Sequence, residues 1–292
     1  MTNRRDFIKQ STVALAGGFL AGNVLAACTP TAVKKKVGLQ LYSLRGDVNS
    51  LGIRQVLEIV AKIGYVNMET AGYDGSTGKI YGLEPSELKK ICDDLGLNLL
   101  SAHLGRGISD KHDEDMAWWQ KALDSHVAAG MKYMIMPSSP LRGDDATIDN
   151  VKRYGEYFNE IGQLVSGASL KFGYHNHDFE FKNKIDELSV YELLVENTNP
   201  QHVFFENDVF WTQRGGYNVV ELLKKYPARI QVLHIKDERA VGESGTIDFK
   251  AIFDQFYANG WADYFVEMED ERTPQEDVGK SYEFLAQADY VK

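Results

Sequence analysis

The sequence predicts an α/β fold in which eight parallel strands and the helices between them close into a (β/α)8 barrel. Short apolar runs rich in β-branched or aromatic residues alternate with longer segments of helical period. A glycine suited to ending a helix precedes several of these runs, as in Leu95–Leu97, Ala129–Met131 and Asn259–Trp261. An open doubly wound sheet is the alternative. No glycine-rich phosphate loop follows the first run, which counts against nucleotide-binding folds of that kind.

Eight strand candidates can be counted in order along the chain. They are Val37–Tyr42, Tyr65–Glu69, Asn98–His103, Tyr133–Met136, Lys171–Tyr174, Val203–Glu206, Ile230–Ile235 and Tyr264–Met268. Between them lie amphipathic stretches with apolar positions three or four apart, such as Ile53–Ile63 and Val219–Leu223, which are predicted as crossover helices. Eight βα units in succession are accommodated most simply by a closed parallel barrel of about 250 residues.

The amino-terminal segment is interpreted as an export signal. Arg4 and Arg5 precede the apolar stretch Val13–Ala27, which is interrupted by glycines and is shorter than the roughly 20 apolar residues that a membrane-spanning helix needs. The arginine pair followed by Phe-Ile-Lys resembles a twin-arginine signal, and Leu25–Cys28 resembles a bacterial lipoprotein cleavage box. Export of a folded protein by the twin-arginine route is therefore expected.

This interpretation predicts a signal peptide over residues 1–27, a short tether over 28–35 and one catalytic domain over 36–292. Cys28 becomes the lipidated first residue, so that the protein contacts a membrane only through this lipid, on the periplasmic or outer-membrane side. The other cysteine, Cys92, lies in a helical pattern and is expected to be a packed helix residue rather than a nucleophile.

Composition and charge exclude several classes of protein. With 43% apolar and 25% charged residues, the chain has the balance of a globular protein rather than of a disordered or fibrous one. Acidic residues outnumber basic ones by 42 to 32, for a formal net charge of −10, and no basic run appears after residue 36. Nucleic-acid binding relies on a basic patch, so a small-molecule partner is expected instead.

Ionisable residues follow the last four predicted strands, in His175–Glu180, Glu206–Asp208, His234–Asp237 and Glu267–Glu269. In a parallel barrel the loops at the carboxyl ends of the strands converge over one mouth, where the chemistry takes place. Carboxylates gathered there would repel one another unless a cation or protons compensated them. The mixture of carboxylate and imidazole predicts one divalent metal ion: Mn²⁺, Co²⁺, Fe²⁺, Zn²⁺ or Mg²⁺.

Six motifs resemble those of the sugar phosphate isomerase/epimerase proteins of the xylose isomerase-like TIM barrel group, which also contains the AP endonuclease family 2. The resemblance spans almost the whole expected catalytic domain. The motifs are Gly38–Arg45, Gly173–Phe181, Asn207–Trp211, His234–Asp237, Gly245–Asp248 and Val266–Asp270. Together they are specific for the group but say little about the substrate.

The resemblance implies one divalent ion held by residues of the fifth to eighth units. Carried over by motif, the four ligands are Glu180, Asp208, His234 and Glu267. In many relatives the fifth-strand ligand lies at the strand terminus, which leaves His175 or His177 as alternatives to Glu180. Glu269 shares a strand face with Glu267 and is the alternative to it.

Such an ion, chelated by sugar hydroxyl and carbonyl oxygens, stabilises the enediolate that forms when a proton leaves the carbon beside the carbonyl. The resemblance implies Glu180 and Glu267 as the pair that moves the proton. Lys236 either stabilises the developing negative charge or lies at the surface.

Substrate contacts are expected from residues at the strand ends and beside the rim. His103 and Glu69 end the third and second predicted strands, where they can bind hydroxyl groups. The aromatic residues near the rim are Tyr42, Phe179, Phe210 and Trp211, of which Tyr42 and Trp211 are the candidates for stacking on a sugar. At least two of these four are expected to pack in the protein, and so is the pair Trp118–Trp119.

The predicted function is a divalent-metal-dependent sugar isomerase or epimerase acting on a sugar or keto-sugar. The same enediolate allows a lyase or hydratase reaction on 3-keto-glycosides, and export favours this alternative because phosphorylated sugars are scarce outside the cytoplasm. A lipid-anchored sugar-binding protein without activity is a further alternative. A nuclease of the related endonuclease group is disfavoured by charge and by export.

Overall fold

A computed structural model of the chain describes residues 35–269 and 272–292. The expected signal peptide, Cys28 and all of the tether except Lys35 lie outside the described residues. Within the described ranges, no helix combines the length and the apolar character needed to span a bilayer.

Eight parallel strands form a closed barrel, as predicted. The strands are β1 Gly38–Gln40, β2 Asn67–Thr70, β3 Asn98–His103, β4 Tyr133–Met136, β5 Lys171–His175, β6 Val203–Asp208, β7 Ile230–Ile235 and β8 Asp263–Val266. Each strand pairs with its neighbours in the chain, and β1 pairs with β8 to close the ring, with Gly38 opposite Phe265.

Helices connect the strands on the outside of the barrel. They are α1 Arg45–Leu51, α2 Ile53–Ile63, α3 Pro85–Asp94, α4 His112–Ala128, α5 Ile148–Ser166, α6 Phe179–Lys182, α7 Val190–Glu196, α8 Val209–Arg214, α9 Val219–Lys225, α10 Phe249–Ala258 and α11 Pro274–Gln287. Side-chain caps begin several of them: the Ser189 hydroxyl and the Glu192 carboxylate form a capping box at α7. Cys92 is buried in α3, as predicted, and burial raises the pKa of its thiol to about 12.

The first and last predicted strands are shorter than expected. The first strand ends at Gln40, and Leu41–Leu44 form a 3-10 helix in which the Gln40 side-chain oxygen accepts a hydrogen bond from the Tyr42 amide at 3.0 Å. The last strand ends at Val266, before Met268. Tyr42 therefore lies in a turn at the rim of the barrel rather than in the sheet.

The amino-terminal half of the barrel lumen is filled by apolar side chains. They are Tyr133, Ile135, Phe204, Val232 and Phe265. Gly173 leaves room for this layer, because a Cβ atom there would lie 2.6 Å from the Phe204 ring. Side chains alternate between lumen and exterior along a barrel strand. The next inward positions after Phe204, Val232 and Phe265 are therefore the ionisable residues of the site.

Candidate functional site

Four buried side chains from consecutive strands meet at the carboxyl end of the barrel. They are His175 of β5, Asp208 of β6, His234 of β7 and Glu267, which directly follows β8. One potential ligand atom from each lies within 4.8 Å of the others. We call these four residues the upper cluster. Asp208, His234 and Glu267 are three of the four predicted ligands. The fourth member, His175, is the predicted alternative to Glu180.

A second cluster lies one layer deeper in the lumen and consists of His103, His175, Glu206 and His234. We call it the lower cluster. The Glu206 Oε2 atom lies 2.6 Å from His103 Nε2, 3.2 Å from His175 Nδ1 and 3.2 Å from His234 Nε2. One carboxylate oxygen thus holds three imidazole rings, two of which belong to the upper cluster as well.

Glu69 supports the lower cluster from the opposite side of the lumen. Its Oε2 atom lies 2.6 Å from His234 Nε2 and accepts a hydrogen bond from Gln40 Nε2 at 2.7 Å, while its Oε1 atom accepts one from Ser101 Oγ at 2.6 Å. The His103 and His234 rings stack with centroids 4.9 Å apart. The orientation of His234 is therefore set by two carboxylates below it, which is the usual arrangement behind a metal-binding histidine.

The charges of the lower cluster compensate one another. Burial by itself would raise the pKa of Glu206, but the charges of His234 and His103 and their hydrogen bonds outweigh it and hold the pKa well below its ordinary value. Burial would lower the pKa of His234, but Glu206 and Glu69 outweigh it and raise the pKa. The carboxylate of Glu206 is consequently ionised and paired within the protein.

Asp208 is different, because one of its oxygens has no such partner. Its Oδ1 atom accepts a hydrogen bond from the Trp211 amide at 2.8 Å and caps α8. Its buried Oδ2 atom receives no hydrogen bond from the described residues and lies 3.8 Å from Lys236 Nζ. Burial raises the pKa of Asp208 to about 7, against the opposing effect of Lys236. A buried carboxylate oxygen without a hydrogen bond fits a cation.

The upper cluster therefore fits a divalent metal ion better than the lower cluster does. It offers two imidazoles and two carboxylates, a donor set that suits Mn²⁺, Fe²⁺, Co²⁺ or Zn²⁺. In the lower cluster the Glu206 oxygen that faces the histidines is already bonded to them, although its Oε1 atom has no hydrogen bond within the described residues.

Lys236 is buried beside the upper cluster, with only 2% of its surface exposed, so the alternative of a surface lysine is wrong. Its Nζ atom lies 3.3 Å from Glu267 Oε2 and 2.5 Å from Glu269 Oε1, and it stacks 4.9 Å above the Trp211 ring. Burial opposes its charge, but Glu267 and Asp208 outweigh it and raise the pKa of Lys236. Glu269 pairs with this lysine and does not belong to either cluster.

Glu180, the preferred fifth-strand ligand, is not brought to either cluster. Its Oε1 atom accepts a hydrogen bond from the Tyr174 hydroxyl at 2.5 Å and its Oε2 atom accepts one from the His177 amide at 2.8 Å. Tyr174 points outward from β5 into the packing with the helices, and it holds the Glu180 carboxylate there. Burial raises the pKa of Glu180 to about 8. His175, at the end of β5, occupies the place that the resemblance assigned to a glutamate.

This placement leads to a first prediction. Changing His175 to Ala is expected to remove most of the bound metal, whereas changing Glu180 to Gln leaves the metal content close to that of the unaltered protein. The reason is that only His175 offers a ligand atom to the upper cluster. The measurement is metal content per protein chain after purification without chelators. Loss of the metal from Glu180→Gln with retention in His175→Ala would contradict the assignment.

The upper cluster opens on a cavity of about 660 Å³. His103, His175, His177 and Glu267 are among the residues that line this cavity. Of the predicted substrate contacts, His103 and Tyr42 line the cavity, whereas Glu69 is fully buried below His234. Trp211 lies against Lys236, 5.9 Å from the His177 ring.

The other aromatic candidates near the rim have packing roles. Phe210 packs against the hydrophobic core, and Phe179 stacks on the His177 ring with centroids 5.6 Å apart. Trp119 is buried and Trp118 packs against the core, as predicted for the tryptophan pair, and Trp118 also lines the cavity.

The sequence motifs did not single out Glu206 as a site residue. The signal that identifies it is alternation: Glu206 lies two residues before Asp208 on the same strand, so both side chains enter the lumen. The number of histidines that Glu206 contacts depends on three other strands and has no local signal.

Comparisons with known proteins agree with this architecture. A family model described as "Xylose isomerase-like TIM barrel" matches residues 57–288. The crystal structure of a sugar phosphate isomerase/epimerase from Parabacteroides distasonis ATCC 8503 is 35% identical, with a TM-score of 0.82 over 91% of this chain and 98% of that one. The 3-keto-D-glucoside 4-epimerase of E. coli shares the fold, with a TM-score of 0.66 at 17% identity over 87% of this chain and all of that one.

A curated relative is similar at the sequence level. The inosose dehydratase of Geobacillus kaustophilus (strain HTA426) is 26% identical over 231 residues, which cover 70% of each chain. The proteins that this chain resembles thus include a sugar phosphate isomerase/epimerase and a dehydratase. The barrel, its buried ionisable cluster and these matches together show that the chain belongs to the xylose isomerase-like TIM barrel family.

Proposed function

We propose that this protein is a divalent-metal-dependent enzyme that removes a proton from the carbon beside the carbonyl group of a sugar or keto-sugar and returns it to give an isomer or epimer. The observation that carries the proposal is the upper cluster: four buried ligand atoms within 4.8 Å of one another at the side of a 660 Å³ cavity. The similarity to a sugar phosphate isomerase/epimerase supports it.

The residues of the upper cluster would hold the ion, which when bound would polarise the carbonyl group and stabilise the negative charge that develops on its oxygen. Lys236 adds a second positive charge next to Glu267 and is held there by Glu269. Trp211 covers this lysine and keeps water from part of its surface. The site therefore concentrates positive charge where a substrate oxygen becomes negative.

Two side chains on the cavity side are placed to move the proton. Glu267 lines the cavity, and the charges of Lys236 and His234 outweigh burial and hold its pKa well below the ordinary value, so it is ionised. His177 also lines the cavity, and its buried Nδ1 atom has no hydrogen bond within the described residues. Glu180 acts on His177 by accepting a hydrogen bond from its amide. These contacts support Glu267 and His177 as the proton-transfer pair.

The test is hydrogen exchange from keto-sugars and 3-keto-glycosides in deuterated water. Protein loaded with Mn²⁺ or Co²⁺ is expected to incorporate deuterium at the carbon beside the carbonyl, and removal of the metal with a chelator is expected to slow this by at least about 100-fold. Restoring the ion should restore the rate. Tight sugar binding without any exchange in the loaded protein would instead support a sugar-binding protein without activity.

A dehydratase or lyase is the second candidate, and the similarity to an inosose dehydratase favours it. Once the proton beside a carbonyl has been removed, an oxygen substituent on the next carbon can leave if a group donates a proton to it. The substituent is hydroxide in a dehydratase and a glycosidic oxygen in a lyase. Product analysis separates the reactions, because isomerisation conserves the mass of the substrate whereas elimination releases water or an alcohol.

A further inference from the structure

The cavity is also lined by aromatic residues that the proposed chemistry does not use. They come from the first units of the barrel: Tyr42 from the turn after β1, Tyr73 from the hairpin after β2, and Trp118 from α4. We call these three residues the aromatic wall. Aromatic faces bind the apolar faces of sugar and aryl rings, and their hydroxyl or indole groups tolerate a polar surrounding.

We propose that the aromatic wall is a binding subsite for the second ring of a glycoside, so that the substrate is a keto-glycoside rather than a free monosaccharide. The first ring presents its carbonyl to the upper cluster, and the ring attached through the glycosidic oxygen stacks on the wall. This inference rests on the proposed function for the position of the first ring. The position of the second ring follows from the cavity itself.

The size of the cavity supports two rings. Its volume of about 660 Å³ lies in the range found for sites that bury drug-sized ligands. A single pyranose held against His175 and Glu267 is smaller than a ligand of that size and leaves part of the cavity free. The remaining space is bordered by aromatic rings, which favour an apolar or ring-shaped group over bulk water.

Trp118 is held in place by the hairpin formed by Tyr73–Asp74 and Lys79–Ile80. The Tyr73 and Trp118 rings meet edge to face with centroids 5.3 Å apart. Gly75 allows the close contact, because a Cβ atom there would lie 1.7 Å from the indole nitrogen of Trp118. The Ser125 hydroxyl, two turns further along α4, donates a hydrogen bond to the Gly78 carbonyl at 2.9 Å and fastens the hairpin to the helix. The wall is thus preorganised.

The neighbouring tryptophan has a different environment from Trp118, which is only partly buried where it packs against the core. Trp119 is fully buried, donates a hydrogen bond from Nε1 to the Tyr157 hydroxyl at 2.7 Å, and packs edge to face on Phe172. Because adjacent helix positions point in different directions, Trp118 lies on the hairpin side of α4 and borders the cavity.

Tyr42 completes the wall at the rim. It is 44% exposed, and the Arg45 guanidinium lies 4.3 Å from the centre of its ring. Arg45 also donates a hydrogen bond from Nη2 to the Glu269 carbonyl oxygen at 2.8 Å, which ties the turn after β1 to the segment after β8. One face of Tyr42 is therefore covered by the arginine, and the ring has a fixed position beside the cavity.

The test measures equilibrium binding of methyl and phenyl glucoside to the metal-loaded full chain. Neither compound has a ketone, so neither can react by the proposed chemistry. The phenyl compound is expected to bind about 10-fold more tightly, because its second ring stacks on the wall. Trp118→Ala and Tyr42→Ala are expected to bring the ratio of the two affinities close to one.

A matched control is Arg142→Ala. Arg142 lines an adjoining cavity of about 380 Å³, which shares Gly105, Pro137 and Ser138 with the main cavity but none of the wall residues. This change is expected to leave the ratio unaltered. Should Trp118→Ala fail to fold, as judged by its thermal unfolding, Tyr42→Ala serves as the deciding variant, because Tyr42 is 44% exposed and its loss leaves the core intact.

Equal affinities for the two glucosides in the unaltered protein would contradict the proposed subsite. So would a preference for the phenyl compound that is lost in Arg142→Ala but kept in Trp118→Ala and Tyr42→Ala. Failure of the proposed function gives a different result. In that case hydrogen exchange from 3-keto-glycosides is absent while the preference for the phenyl compound remains.

Discussion

Replacing Asp208 by Asn is expected to abolish metal binding and to lower hydrogen exchange by about three orders of magnitude. The Oδ2 atom of Asp208 is a buried carboxylate oxygen without a hydrogen bond from the described residues, and Asp208 is one of the four residues that form the upper cluster. An amide supplies neither the negative charge nor the same affinity for a divalent ion. Several kcal/mol of charge stabilisation in the reaction would be lost with the ion.

The chain offers a matched comparison on the same strand. Glu206→Gln removes a carboxylate two residues away that contacts three histidines but belongs only to the lower cluster. Because Glu206 would orient His175 and His234 rather than bind the ion, its loss is expected to weaken metal affinity by about 10- to 100-fold without abolishing binding. Metal titration of both variants gives the affinities, and deuterium incorporation gives the rates.

The opposite ranking would place the ion in the lower cluster. If Glu206→Gln cannot be loaded with metal while Asp208→Asn keeps its affinity, the upper cluster is not the metal site. Thermal unfolding of both variants serves as a control for folding, because each change alters a fully buried position.

Replacing Lys236 by Met is expected to lower the rate of hydrogen exchange by about 100- to 1000-fold while the metal remains bound. A buried donor or cation at the position of developing charge has an effect of this size. Lys236 lies 3.8 Å from Asp208 Oδ2 and 3.3 Å from Glu267 Oε2, so its charge repels an ion bound by these ligands. Metal affinity is therefore expected to stay the same or to rise, whereas the rate falls.

This separation of metal affinity from rate distinguishes charge stabilisation from a purely structural role. If Lys236 had only a structural role, its replacement would lower the metal affinity and the rate of exchange together. Lys236→Arg keeps the positive charge and is expected to recover part of the rate. Lys225→Met is a suitable control elsewhere in the chain, because Lys225 also pairs with a buried glutamate, Glu192 at 2.6 Å, but lies outside the site. Unchanged exchange in Lys236→Met would show that the lysine takes no part in the reaction.

Most of the barrel could be predicted from local patterns in the sequence. Strands such as Asn98–His103 and Ile230–Ile235 have the predicted bounds, because runs of apolar and β-branched residues are favourable only when both faces of a strand are buried. The end of β1 could not be predicted in the same way. Leu41 and Tyr42 continue the apolar pattern, yet the Gln40 side chain bonds to the Tyr42 amide and the chain turns into a 3-10 helix.

The site shows the same division. Asp208, His234 and Glu267 stand at strand ends and could be found by position, since the carboxyl ends of parallel strands converge. The choice between Glu180 and His175 could not be predicted from position, because it depends on Tyr174, which holds the Glu180 carboxylate outside the lumen. The different environments of Trp118 and Trp119 could not be predicted either, since the hairpin that contacts Trp118 lies some 40 residues earlier in the chain.

The order of apolar and polar residues by itself determined that this chain forms eight βα units and which end of the barrel carries ionisable groups. Those properties follow from the periodicity of each segment and from the direction of its strand. Closure of the barrel decided which of these groups meet, that Glu206 contacts three histidines, and that three aromatic residues line the same cavity as the ligands. The reason is that such contacts join side chains from different strands, whose distances are set only when the ring has closed.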